Sequence, residues 1–235
     1  MALVLDRAGH IHALVDRFDF FSPSRGLHYL TNASGGWSDQ LVPDSVCGEP
    51  YDESCVPPSL LAYDSVSERI VLVEQSGGMR IGSKPAGAAE FGPLESMSEP
   101  GNRHLIAQSL TSSGGRITMA LRPYEKRTNS PSILQTGPVY VMSDGRIERV
   151  RAAGRDAPFF QVAASSPDRV ELAWSRHSAT WDVREQGVWT ARRVRDRHTG
   201  RWSLRAVRQR TRSAYDALSS VTADARGRPL VAYVR

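Results

Sequence analysis

Apolar and polar positions alternate in five stretches of the chain, residues 3–15, 60–73, 105–121, 160–174 and 221–234. Each stretch is broken once by turn formers: Asp6–Gly9, Ser65–Glu68, Ser112–Gly115, Ser165–Asp168 and Ala225–Gly227. A period of two bounded by Gly, Asp and Ser reads as a β-hairpin, because successive strand side chains face opposite sides. The second runs begin at His10, Arg69, Arg116, Arg169 and Arg228, which lie 47 to 59 residues apart. A recurring hairpin at such a period is the mark of a repeat architecture.

A second hairpin follows most of the first ones, over residues 27–42, 139–150 and 188–205. Each carries a glycine with a large side chain two places on: Gly35 and Trp37, Gly145 and Ile147, Gly200 and Trp202. The glycine suits a turn that needs positive φ. Trp37 and Trp202 are expected to be buried between neighbouring sheets. The second unit is weaker, with Met79–Gly82 and a poor fourth strand near Leu94. Four strands per unit without helical periodicity predict an all-β chain, a β-propeller of four blades plus a two-stranded fifth. A β-sandwich of similar strand count needs no recurring unit or turn chemistry. The blades are placed at about 1–45, 57–98, 103–152, 158–209 and 217–235 of a single domain. The chain opens in a first strand and stops after the second strand of the fifth unit, so a fragment of a larger propeller is the favoured expectation.

Asp6-x-x-Gly9-x-Ile11-His12, followed by Leu27-x-Tyr29-x-Thr31-Asn32-Ala33-Ser34-Gly35-Gly36-Trp37, resembles the repeat of bacterial propellers with Tyr-Ala-Thr-Asn-Ala-Ser-Gly-x-Trp hairpins, distant relatives of sialidase-type Asp-box (BNR-like) propellers. The likeness is close in the first unit and only topological in the others. Against the Asp-box pattern, Asn32 stands where Asp belongs, and Arg197 holds that place in the fourth unit. Such a box is a fold-stabilising turn, so the resemblance implies architecture rather than catalysis.

At 235 residues and 40% hydrophobic composition the chain can bury a core. No apolar run approaches the ~20 residues of a membrane helix, so no membrane insertion is expected, and Met1–Asp6 meets a charge too early for a secretory leader. Residues 146–235 hold 19 Arg against 9 acids, a net +10, while residues 1–145 carry −5. Arg outnumbers Lys 28 to 2, which composition bias explains; no nucleic-acid motif accompanies the basic half. Cys47 and Cys55 share one turn-rich, acidic segment and lack C-x-x-C spacing, so a local disulfide is the natural reading. It would place the chain outside the cell or on its surface.

Connections within hairpins are short, whereas 17–26, 43–58, 122–137 and 175–187 are long. In a propeller these emerge on one rim, where binding residues usually sit on a rigid scaffold. The ligand-face candidates there are Arg17, Asp19, Arg122, Tyr124, Glu125, Arg176, His177, Trp181 and Asp182. Guanidinium, aromatic and carboxylate groups together suit sugars or acidic groups. The six histidines form no ligand set; His10 and His12 share a strand face but read as turn-flanking or half-exposed. No metal and no cofactor is expected, since phosphate loops and nucleophile elbows are absent from the sequence. The sequence thus points to a non-catalytic binding module for glycan or protein, with a sialidase- or glycosidase-like enzyme as the alternative.

Overall fold

The computed structural model describes residues 2–18, 25–43, 45, 59–75, 78–97, 105–123, 138–153, 157, 159–176, 186–213, 217–224 and 228–234. These form four four-stranded antiparallel sheets and one two-stranded sheet, the blades of a β-propeller. Blade one is β1 (Ala2–Leu5), β2 (Ile11–Phe18), β3 (Arg25–Thr31) and β4 (Ser38–Leu41); blade two is β5 (Leu60–Asp64), β6 (Arg69–Glu74), β7 (Arg80–Pro85) and β8 (Glu95–Ser96). Blade three is β9 (Leu105–Ser113), β10 (Arg116–Pro123), β11 (Tyr140–Ser143) and β12 (Arg146–Arg149). Blade four is β13 (Phe160–Ser166), β14 (Arg169–Arg176), β15 (Gly187–Arg195) and β16 (Trp202–Gln209). Blade five is β17 (Ala217–Ala223) and β18 (Pro229–Val234). In every blade the strands pair in chain order, and the weak fourth strand of blade two has only two residues.

The chain divides into two compact units, 1–101 with blades one and two, and 102–235 with blades three to five. In the first unit Leu14, Leu27, Tyr29, Ile70, Leu72 and Phe91 make a shared core between blades. In the second, β13, β14 and β15 set Phe160, Trp174 and Trp189 directly opposite one another. The rings stack at centroid distances of 5.7 and 6.5 Å, with Trp174 fully buried.

The seams also use polar side chains addressed to backbone. The Gln40 amide donates to the Phe91 carbonyl (3.0 Å) and accepts from the Phe91 N–H (2.8 Å). Gln161 does the same between blades four and five, donating to Ser219 O and accepting from Val221 N–H. Ser109 and Thr111 of blade three accept from the N–H groups of Val162 and Ala164 in blade four. A side-chain amide presents one donor and one acceptor, as a peptide unit does.

The turn glycines Gly35, Gly145 and Gly200 all have positive φ, as the sequence implies. The expectation for the tryptophans splits. Trp202 is partly buried on the core that blades three and four share, with the Arg193 guanidinium 5.1 Å from its ring. Trp37 is instead 64% exposed. It leads into a four-residue edge strand, and no neighbouring sheet covers it among the described residues. Burial follows the blade standing opposite, not the place after the turn glycine.

Candidate functional site

The long connections lie largely outside the described residues. Asp19, Tyr124, Glu125, His177, Trp181 and Asp182 fall there, as do Cys47 and Cys55. The three candidate arginines mark the roots of those connections. Arg17 is in β2 opposite Gly26, Arg122 is in β10 opposite Ile106, and Arg176 ends β14 opposite Gly187. Arg122 is only 1% exposed, and its guanidinium donates to the Ala157 carbonyl that leads into blade four. It braces the scaffold at that root.

The most organised polar cluster sits at the short turns of the first unit. Asp6 follows β1 and turns the hairpin: its Oδ1 accepts from the N–H groups of Ala8 (2.9 Å) and His10 (2.8 Å). Asp64 and Asp224 cap the corresponding turns of blades two and five through Oδ1 in the same way. An aspartate side chain commonly closes such turns on its own backbone. Among the described residues, Asp6 is the one of the three with imidazoles around its second oxygen. His10 Nδ1 donates to Oδ2 at 2.8 Å, and His12 Nε2 approaches it at 3.4 Å. With Nε2 aimed at the carboxylate, His12 Nδ1 is left to accept from the Tyr29 hydroxyl (2.6 Å), and the Thr31 hydroxyl lies 3.1 Å from the same nitrogen.

Lys84 reaches this cluster from β7, with its ammonium 4.7 Å from the Tyr29 ring centroid and 5.5 Å from that of Phe91. It donates to the carbonyls of Ala88 and Pro85. The electrostatics follow from burial. Burial alone would raise the Asp6 pKa, but the hydrogen bonds from the His10 ring, the His10 backbone and His12 outweigh it and hold the carboxyl at about 2. Burial lowers His12 against the pull of Asp6, which keeps the ring neutral. It also lowers Lys84 to about 8, opposed by Asp6, and raises the Tyr29 phenol.

Beside this network lies a cleft of about 320 Å³, open to solvent between the β1–β2 and β5–β6 turns. Asp6, Arg7, His10, Tyr63 and Glu68 line it, with Ala86 and Gly87. Arg7 and Glu68 form an exposed ion pair of 3.7 Å. His10 has committed Nδ1 to Asp6, so Nε2 is its remaining ring nitrogen for a ligand hydroxyl. Glu68 has φ of 52°, in the left-handed turn place that Gly9 and Gly115 take in sister hairpins. No set of three metal-ligating groups occurs among the described residues, and the lysine beneath Asp6 opposes a cation.

Sequence reasoning missed this cluster. His12 is fully buried rather than half-exposed, and its partners come from the β1–β2 turn and from β3. One signal was available: Lys84 is one of only two lysines in a chain that otherwise uses arginine. A compact ammonium that can release its proton is not replaceable by a guanidinium.

No protein-family model matches the chain, and no curated protein matches it. Among solved structures, it is similar to an α-L-arabinofuranosidase from Podospora anserina in complex with cellotriose, at TM-score 0.40 and 11% identity over 86% of this chain and 65% of that one. The catalytic domain of the GH62 α-L-arabinofuranosidase of Coprinopsis cinerea gives TM-score 0.43 and 12% identity over 95% of this chain and 76% of that one. An α-L-arabinanase of Penicillium chrysogenum complexed with arabinobiose gives 0.45 and 11% over 86% and 65%. The chain thus spans less than two thirds of the length of the Podospora and Penicillium enzymes. These neighbours are carbohydrate-active; their substrates and activities are their own.

Proposed function

We propose that this chain recognises carbohydrate, and that the cleft beside Asp6 and His10 takes one sugar ring. The observation that carries the reading is Glu68. Its backbone is held where glycine serves in sister turns, at a cost of about 1 kcal/mol, and it lines the cleft. Strain retained at a cleft points to a side chain needed there. Carboxylates accept from sugar hydroxyls, Arg7 and His10 offer complementary donors and acceptors, and the Tyr63 ring offers an apolar face.

Glu68→Gly tests this in one protein. The variant should unfold at higher denaturant, gaining about 1 kcal/mol, while its affinity for xylo-, arabino- or cello-oligosaccharides, read by calorimetric titration, drops roughly tenfold through loss of one charge-assisted contact. Oligosaccharide binding that ignores Glu68→Gly and His10→Ala would overturn the assignment of the cleft. The same titrations on Arg176→Ala ask whether the rim of long connections contributes.

A second reading has its own observation: two carboxylates, Asp6 and Glu68, line one cleft. Glycoside hydrolysis needs such a pair, and Asp6 is ionised throughout the neutral range. Turnover of an aryl α-L-arabinofuranoside that disappears in a folded Asp6→Asn variant would favour the hydrolase over the binding module.

A further inference from the structure

The residue at or just before the start of the second strand is arginine in four blades, Arg69, Arg116, Arg169 and Arg228, and histidine in one, His10. Blade five shows what the arginine can do. Arg228 donates its backbone N–H to Asp224 Oδ1 at 2.8 Å and its Nε–H to Asp224 Oδ2 at 2.6 Å. His10 makes the same two bonds to Asp6, four residues before it, at 2.8 Å each. Closing the turn therefore does not require histidine. The two side chains differ in what remains once the turn is closed. A guanidinium has donors only, whereas an imidazole that gives Nδ1–H to a carboxylate keeps a lone pair on Nε2.

The carboxylate behind that imidazole has little left to offer. An ionised carboxylate has about four acceptor sites. Those of Asp6 face four N–H groups: the backbones of Ala8 and His10 at Oδ1, and the rings of His10 and His12 at Oδ2. Its side chain is 5% exposed, against 36% for that of His10. His12 is fully buried and spends both ring nitrogens inside the cluster. Along Tyr29, His12, Asp6 and His10, the nitrogen that remains for a ligand in the cleft is His10 Nε2.

We infer that His10 Nε2 is the specificity-determining group of the cleft: held as an acceptor by Asp6, it takes a hydrogen bond from a sugar hydroxyl and selects neutral sugars over uronates. The inference rests on the sugar-binding reading of this cleft and names the class of sugar. Asp6 acts through His10 and is a positioning residue. A uronate carboxylate brings no proton to Nε2, and it would stand beside the carboxylates of Asp6 and Glu68. Unpaired acceptors and like charges are how a site rejects the wrong ligand. Arg7, the one guanidinium lining the cleft among the described residues, already faces Glu68 at 3.7 Å.

Two substitutions remove the lone pair in different ways. His10→Arg installs the residue of the sister turn, so the bonds to Asp6 are kept while the acceptor becomes a donor. Asp6→Asn presents an amide donor to Nδ1, so the ring carries its proton on Nε2 instead. Calorimetric titration compares xylo-, arabino- and cello-oligosaccharides with oligogalacturonates. Wild type should prefer a neutral oligosaccharide. Both variants should lose roughly tenfold or more of that affinity, the cost of one unmet hydrogen bond, and shift their preference toward galacturonates. Long-range NMR correlation of the ring nitrogens reads the tautomer independently: Nε2 of His10 should be bare in wild type and protonated in Asp6→Asn. Neutral binding that Glu68→Gly weakens but His10→Arg leaves intact would overturn this inference and spare the sugar-binding reading. A proton on Nε2 in wild type, or tighter wild-type binding of galacturonates, would do the same. Failure of wild type to bind any oligosaccharide would overturn both.

Discussion

Replacing Trp174 with Ala is expected to lower the unfolding free energy by roughly 3–5 kcal/mol, the range for emptying a large aromatic site in a core. The indole lies between Phe160 and Trp189 at stacking distance on both sides, so its loss opens a void that two flanking rings cannot close without leaving their own strands. The chemistry of the ring refines the expectation. The Trp174 indole N–H is buried without an acceptor among the described residues. An unsatisfied donor of this kind costs about 1–3 kcal/mol, so Trp174→Phe removes a liability together with part of the packing. Urea denaturation should therefore place Trp174→Phe much nearer wild type than Trp174→Ala. Equal losses in the two variants would mean that volume alone decides and that the stacked ladder is not the centre of the second unit.

The second large effect is a pH dependence set by Lys84, which is 3% exposed. Its pKa of about 8 lies below the ordinary 10.5. Between those values the unfolded chain holds a proton that the folded chain has released, so stability rises with pH through this window and the gain is complete only above 10.5. At 1.36 kcal/mol per unit, the gain from pH 8 to pH 10 is about 2–3 kcal/mol. The raised phenol of Tyr29 works in the opposite direction above pH 10, where unfolded tyrosine ionises first, so the reading ends there. In Lys84→Met the rise should vanish, leaving a flatter profile that starts higher at neutral pH. Parallel profiles for the two proteins would show that the ammonium is not held dry. On the acid side His12, buried neutral, contributes stability that is lost as pH falls below 6.5.

The architecture was legible because β-hairpins announce themselves locally. Asp6, Gly9, Gly145 and Gly200 stand at the turns where alternation breaks. What the sequence hid was contact between hairpins. Trp37 and Trp202 have the same local setting and opposite fates, because only Trp202 has a sheet standing against it. His12 and Lys84 meet across two blades, and nothing within either hairpin records the meeting. Arg122 looked like a loop-root ligand group because it borders a long connection, yet the backbone of Ala157 claims its guanidinium.

The seams closed by Gln40, Gln161, Ser109 and Thr111 carry a consequence for how such a chain diversifies. Each of these side chains bonds to a neighbour's main chain, and a main chain is chemically the same whatever residue it bears. A blade can therefore be copied beside its parent and then drift in nearly all its side chains without a matched change across the join. Units that are all but unrecognisable as siblings by residue identity can go on stacking, which fits a chain whose repeats agree in spacing and turn chemistry while sharing few letters.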